Sequence, residues 1–147
     1  MRPAWERHRP VSIAEGGWEV HAASDIPYPG RHIPVALDEA GISSLLDDYH
    51  AAAQRAAYLE LDFIEIHAAH GYLLHNFMSP LTNNRVDRYG GSFENRIRLL
   101  LEIYETVGRA FSKDKPIGSD LGNRLGSGRM DVRRECHACP KAEGFGV

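Results

Sequence analysis

Apolar positions in the first 37 residues follow no period. Pro3, Pro10, Pro27, Pro29 and Pro34, with Gly16, Gly17 and Gly30, recur too often for a long helix. The pattern predicts an extended excursion with short strands at most, anchored by Trp5, Trp18, Val20 and Ile26. From Asp38 the rhythm becomes helical. Ile42, Leu45, Leu46, Tyr49, Ala52, Ala53 and Ala56 recur at three and four residues and form one face, with Asp38 as its N-cap. Leu61 to His67 is short and β-branched and reads as a strand. A polar stretch runs from Ser79 to Ser92. Ser92 then caps a second helix carrying Ile97, Leu100, Leu101, Tyr104, Val107 and Phe111. Lys113 to Lys115 end that helix, and Pro116-Ile117-Gly118 opens another strand.

Helix, strand, loop, helix, strand is the alternation of an α/β fold with a parallel sheet. Two strands and two helices are too few to close such a core, because parallel strands need cover on both faces. Either the weak segments add strands or this is part of a larger domain. No internal repeat is visible. The 29 residues after Gly118 hold Gly, Arg and both cysteines without periodicity.

Composition narrows the class without naming a function. The chain has 147 residues, so a single domain is expected. Its net charge of −3 gives no footprint for nucleic acid or an anionic membrane, and neither partner is expected. Apolar residues at 43% and charged residues at 25% suit a globular protein and exclude a disordered one. No apolar run approaches the ~20 residues of a membrane span. The first ten residues lack the apolar stretch of a secretory signal. Two cysteines make no disulfide framework, so a cytoplasmic setting is expected.

The densest chemistry follows the first strand: His67, His70 and Tyr72, with His75 close behind. The C-terminal ends of strands carry the active sites of α/β barrels. Two imidazoles can donate hydrogen bonds to one carbonyl or anionic oxygen, and a phenol can give a proton to a carbanion. Two other readings stay open on spacing alone. These can be loop residues satisfied by the backbone. They can also be metal ligands, although His-x-x-His places both rings on one face only in a helix.

The run His67-Ala-Ala-His70-Gly-Tyr72 continues through Ser79-Pro80-Leu-Thr-Asn83-Asn-Arg85-Val-Asp87-Arg-Tyr89-Gly90-Gly91-Ser92-Phe-Glu94-Asn95-Arg96. It resembles the old yellow enzyme family of FMN-dependent NAD(P)H oxidoreductases, which fold as (β/α)8 TIM barrels. Arg2-Pro3-Ala-Trp5-Glu6, Gly16-Gly17-Trp18-Glu19 and Ile26-Pro27-Tyr28 extend the likeness upstream, so that it covers about residues 2–118. The resemblance implies a partial barrel, from after its third strand to the start of its fifth. It also implies a small-molecule substrate, an α,β-unsaturated carbonyl or similar activated alkene. His67 and His70 would hold the carbonyl oxygen, and Tyr72 would protonate the α-carbon. FMN would carry the hydride from NAD(P)H. Asn83, Arg85, Asp87, Tyr89, Gly90, Gly91, Glu94, Asn95 and Arg96 are expected to fix the loop rather than react. Homo-oligomers are an option for a full-length member.

The sequence departs from the family in three ways. A barrel of this kind needs ~250 residues, and the segments that hold the flavin ring and phosphate are expected to be missing. No residue here is assigned to cofactor or metal, and the chain alone is expected to be inactive. Glu60 stands where the family has Gly, at a cost of ~1 kcal/mol if that residue is left-handed. The likeness stops at Gly118, after which the family continues Arg-Ile-Ser-Ala-Thr-Asp-Trp. Allowed codons for Ser119 to Leu125 are TCG GAT CTC GGC AAC CGA CTG; read one base later, with a base from Gly126, they encode that run. Met130 followed by Asp131 forces a Trp in the same frame. Residues 1–118 are therefore expected to be a barrel segment and 119–147 an out-of-frame tail. On that reading Cys136 and Cys139 are accidents of frame. The alternative is a non-catalytic or metal-binding module using His67, His70, His75, Cys136 and Cys139.

Overall fold

The computed structural model describes residues 5–6, 9–112 and 114–121. Two-residue strands punctuate the N-terminal excursion. β1 (Trp5–Glu6) pairs antiparallel with β2 (Arg9–Pro10), and β3 (His21–Ala22) pairs parallel with β4 (Val35–Ala36). A single 3-10 turn, Ile13–Glu15, lies between them. Trp18 and Val20 do not anchor this segment: they are 43% and 36% exposed. The buried positions described in this segment are Val11, Ala22, Ala23, Ser24 and Pro34.

α1 (Glu39–Tyr58) starts where Asp38 Oδ1 accepts the Gly41 N–H at 2.7 Å. Ile42 and Ala53 are buried along its inner face, with Leu45, Leu46, Tyr49 and Ala56 partly covered. Ala52, expected on that face, is exposed. The chain leaves α1 through Glu60 at φ +56, a left-handed turn. Lys115 Nζ donates to the carbonyls of Glu60 and Leu61, both at 3.0 Å, and so ties this turn to the approach to the last strand.

β5 (Ile64–His67) is shorter than the apolar run predicted, and Leu61 and Phe63 lie exposed ahead of it. It pairs parallel with β6 (Ile117–Asp120) in the register Ile64↔Ile117 to His67↔Asp120. Between them lie two helices rather than one. α2 (Leu73–Met78) is six residues long, too short to show a period, and the sequence pattern does not reveal it. α3 (Phe93–Ala110) is capped by Ser92 Oγ, which accepts the Asn95 N–H. Glu94 in its first turn and Arg109 in its last complement the helix dipole.

α3 packs against both α1 and α2. One core joins Ile42 of α1, Ile66 of β5, Leu74 and Phe77 of α2, and Ile97, Leu99 and Ile103 of α3. Leu99 and Ile103 are fully buried and lie beside the face read from the sequence, so the apolar stripe of α3 is wider than expected. No helix among the described residues is long and apolar enough to cross a membrane.

The loop before α3 is held by its own polar groups. Arg85 is the main clamp. Its Nη1 donates to the carbonyls of Ala23 (2.9 Å) and Leu37, and its Nε donates to Asp87 Oδ1 (3.0 Å). Asp87 in turn accepts the Tyr89 N–H. The Arg85 side chain beside it holds the Asp87 carboxyl below the usual range. Asn83 Nδ2 bridges the Phe77 and Tyr89 carbonyls, and Arg96 Nε donates to Met78 O. Asn95 Nδ2 donates to Gly90 O. A Cβ at Gly90 would lie 2.1 Å from the Arg85 carbonyl oxygen, so the turn admits no side chain there.

Candidate functional site

His67 ends β5, and the sheet register sets Asp120 of β6 directly beside it. Paired residues of neighbouring strands point to one face. Accordingly His67 Nδ1 lies 3.4 Å from Asp120 Oδ2. The backbone of the next residue seals the pair: Ala68 N–H donates to Asp120 O at 2.8 Å. Ala68 and Ala69 are fully buried.

The chain then reverses. His70 at φ +57 and Gly71 at φ +78 are two successive left-handed residues. This turn folds the His70 ring back to 5.1 Å from the His67 ring, centroid to centroid. Tyr72 arrives at 5.4 Å from the His67 ring. The sequence spacing predicted both rings on one face only in a helix; the left-handed turn achieves the same in a loop. Gly71 is required here, because a Cβ would approach the Tyr28 hydroxyl to 2.6 Å. That hydroxyl donates to Gly71 O at 3.1 Å and pins the turn from outside.

His75 does not join the cluster. Its Nδ1 accepts the Gly71 N–H at 2.6 Å, and its Nε2 is buried without a partner among the described residues. Burial first, and the His70 charge second, lower its pKa from the usual 6.5. It is therefore the neutral acceptor that holds the turn. Cys136 and Cys139 lie outside the described residues. The five-residue metal set is thus not assembled in the described part.

His67, His70 and Tyr72 are all exposed, on a face open to a small molecule. Beside Tyr72 opens a cavity of about 270 Å³, lined by Val20, Ile26, Tyr28, Arg31, Pro34 and Asn76 among others. Asn76 holds the cavity wall, with its Oδ1 accepting the Ala23 N–H at 2.8 Å. Sequence reasoning missed the place of Asp120 and the supporting roles of Asn76 and Tyr28. The register that pairs His67 with Asp120 gave no signal in the sequence. The long-range pairs of Asn76 and Tyr28 left none.

Neither long helix offers an anion cradle at its start. The Asp38 carboxylate occupies the first turn of α1 and Glu39 follows it; the Ser92 hydroxyl occupies that of α3, with Glu94 next.

The sequence profile of the NADH:flavin oxidoreductase / NADH oxidase family matches residues 17–130. An NADH:flavin oxidoreductase of Gibberella zeae is 47% identical over 106 residues, covering 69% of this chain and 26% of that protein. An NADPH dehydrogenase of Bacillus subtilis is 50% identical over 104 residues, covering 66% of this chain and 31% of its own length. Among solved structures, morphinone reductase in complex with tetrahydroNAD superposes with a TM-score of 0.66 at 32% identity, over 71% of this chain and 33% of that one. The old yellow enzyme homologue from Zymomonas mobilis gives 0.64 at 38% identity, over 69% and 31%. The described α/β unit is thus part of an old yellow enzyme barrel, and the chain spans about a quarter to a third of the length of its relatives. With its strand-end histidines, its loop clamp and its fold, the chain belongs to the NADH:flavin oxidoreductase / NADH oxidase family.

Proposed function

We propose that this chain carries the substrate-polarising side of an active site that reduces activated C=C bonds, chiefly α,β-unsaturated carbonyls. The observation that supports this is the convergence of His67, His70 and Tyr72 at the end of β5. Two imidazole N–H groups aimed at a carbonyl oxygen favour the enolate-like charge that hydride addition creates. Tyr72 then donates its phenolic proton to the α-carbon. FMN, with NAD(P)H as reductant, supplies the hydride in this family. Neither long helix start is open to the flavin's phosphate, since each is occupied by its own cap and an acidic first turn. The proposed site is therefore the substrate side alone, and the chain by itself holds no flavin tightly and turns nothing over. In the same reading, residues from about 119 onward are translated out of frame.

The test transplants residues 17–118 into the Bacillus subtilis NADPH dehydrogenase in place of its matching segment. The chimera should reduce an enone with NADPH. Tyr72→Phe in the chimera should lower turnover by about 100-fold or more. His67→Ala should raise the enone KM as well. A chimera that binds flavin but ignores Tyr72→Phe would remove the proton-donor role.

A further inference from the structure

We infer that His67, His70 and Asp120 form a binding site for a borderline divalent transition cation, Zn2+ being the simplest probe. One ligand atom from each of the three residues lies within 4.8 Å of the others. The pair fixed by the sheet register is already spaced for a metal. A tetrahedral site with bonds of about 2.1 Å has ligand-to-ligand edges of about 3.4 Å. His67 Nδ1 and Asp120 Oδ2 are 3.4 Å apart. His70 must close in by up to about 1.4 Å, and as an exposed side chain it can change rotamer to do so.

The donor set selects the class of ion. Two neutral nitrogens and one carboxylate suit Zn2+ and its first-row neighbours. Ca2+ and Mg2+ demand oxygen ligands, and Cu(I) demands sulfur. Three protein ligands leave a fourth position open to water or to a carbonyl oxygen. Because His67 and His70 are also the proposed oxygen donors, a bound cation would displace the carbonyl from them. The site belongs to the chain as translated here, with Asp at position 120, and it involves neither flavin nor alkene.

The test is calorimetric titration of the purified full chain with Zn2+, alongside four variants whose folding is followed by circular dichroism. We expect one Zn2+ per chain. His67→Ala, His70→Asn and Asp120→Asn should each weaken binding by at least tenfold; Asn is chosen at 70 because it tolerates the left-handed backbone. Replacing Cys136 and Cys139 together by Ser should change nothing. Absence of binding overturns the inference. So does binding that survives Asp120→Asn, and so does binding that disappears with the two cysteines. Should His67→Ala unfold the chain, Asp120→Asn and His70→Asn decide alone.

Discussion

At the scale of single residues, His75 does more for the site than its place in the sequence suggests. It is a hydrogen-bond acceptor only while neutral, and the Gly71 N–H it accepts belongs to the turn that brings His70 back to His67. Its pKa is lowered from 6.5 by burial and by His70, so the unfolded chain takes up the proton first as pH falls. Stability from this group is complete above pH 6.5 and declines below it, down to the lowered folded value. A urea midpoint falling between pH 7 and pH 5, with this part of the slope lost in His75→Asn, is the expected outcome. Glu60 gives a second expectation. It occupies φ +56 with an exposed side chain, while its carbonyl is held by Lys115. Glu60→Gly keeps that bond, relieves the backbone and should stabilise the chain by about 0.5–1 kcal/mol in denaturant melts.

At the scale of elements, the two long helices were legible because each repeats its apolar positions over several turns and opens on a side chain that caps. Their caps, Asp38 and Ser92, stand where the pattern put them. What was not legible depends on partners far along the chain. α2 has too few turns to show a period and is fixed by Asn76 reaching Ala23, 53 residues away. Trp18 and Val20 look like anchors by composition, yet their exposure is decided by what packs on them. The closeness of His67 and His70 was not readable, because two left-handed residues in a row leave only Gly71 as a sign. Arg85 joins the β3 end, the start of α1 and the loop before α3 through Ala23, Leu37 and Asp87. Arg85→Ala removes the donor from the partly buried Ala23 and Leu37 carbonyls and should cost about 2–3 kcal/mol in chemical denaturation. Arg85→Lys should recover little, since one ammonium cannot span the three acceptors in the geometry of a guanidinium fork.

At the scale of the whole molecule, the chain is a barrel segment, and neither long helix start among the described residues is open to the cofactor's phosphate. Purified chain should therefore elute colourless after incubation with FMN, and absorbance of the eluate checks this directly. The coding sequence offers a separate check. Sequencing the genomic DNA and transcript across codons 110–150 should reveal a single-base change near codon 119 that restores the family strand in another frame. An unshifted frame confirmed in both would leave Asp120 as the native neighbour of His67. In either case, β5 and β6 hydrogen-bond only to each other among the described residues. A two-stranded parallel sheet exposes an unpaired row of backbone groups on each outer side, and such rows template the addition of further strands. In the barrels this chain resembles, such outer sides are where neighbouring strands pair, so the same two backbone rows that look like loose ends here are the seams of the closed sheet.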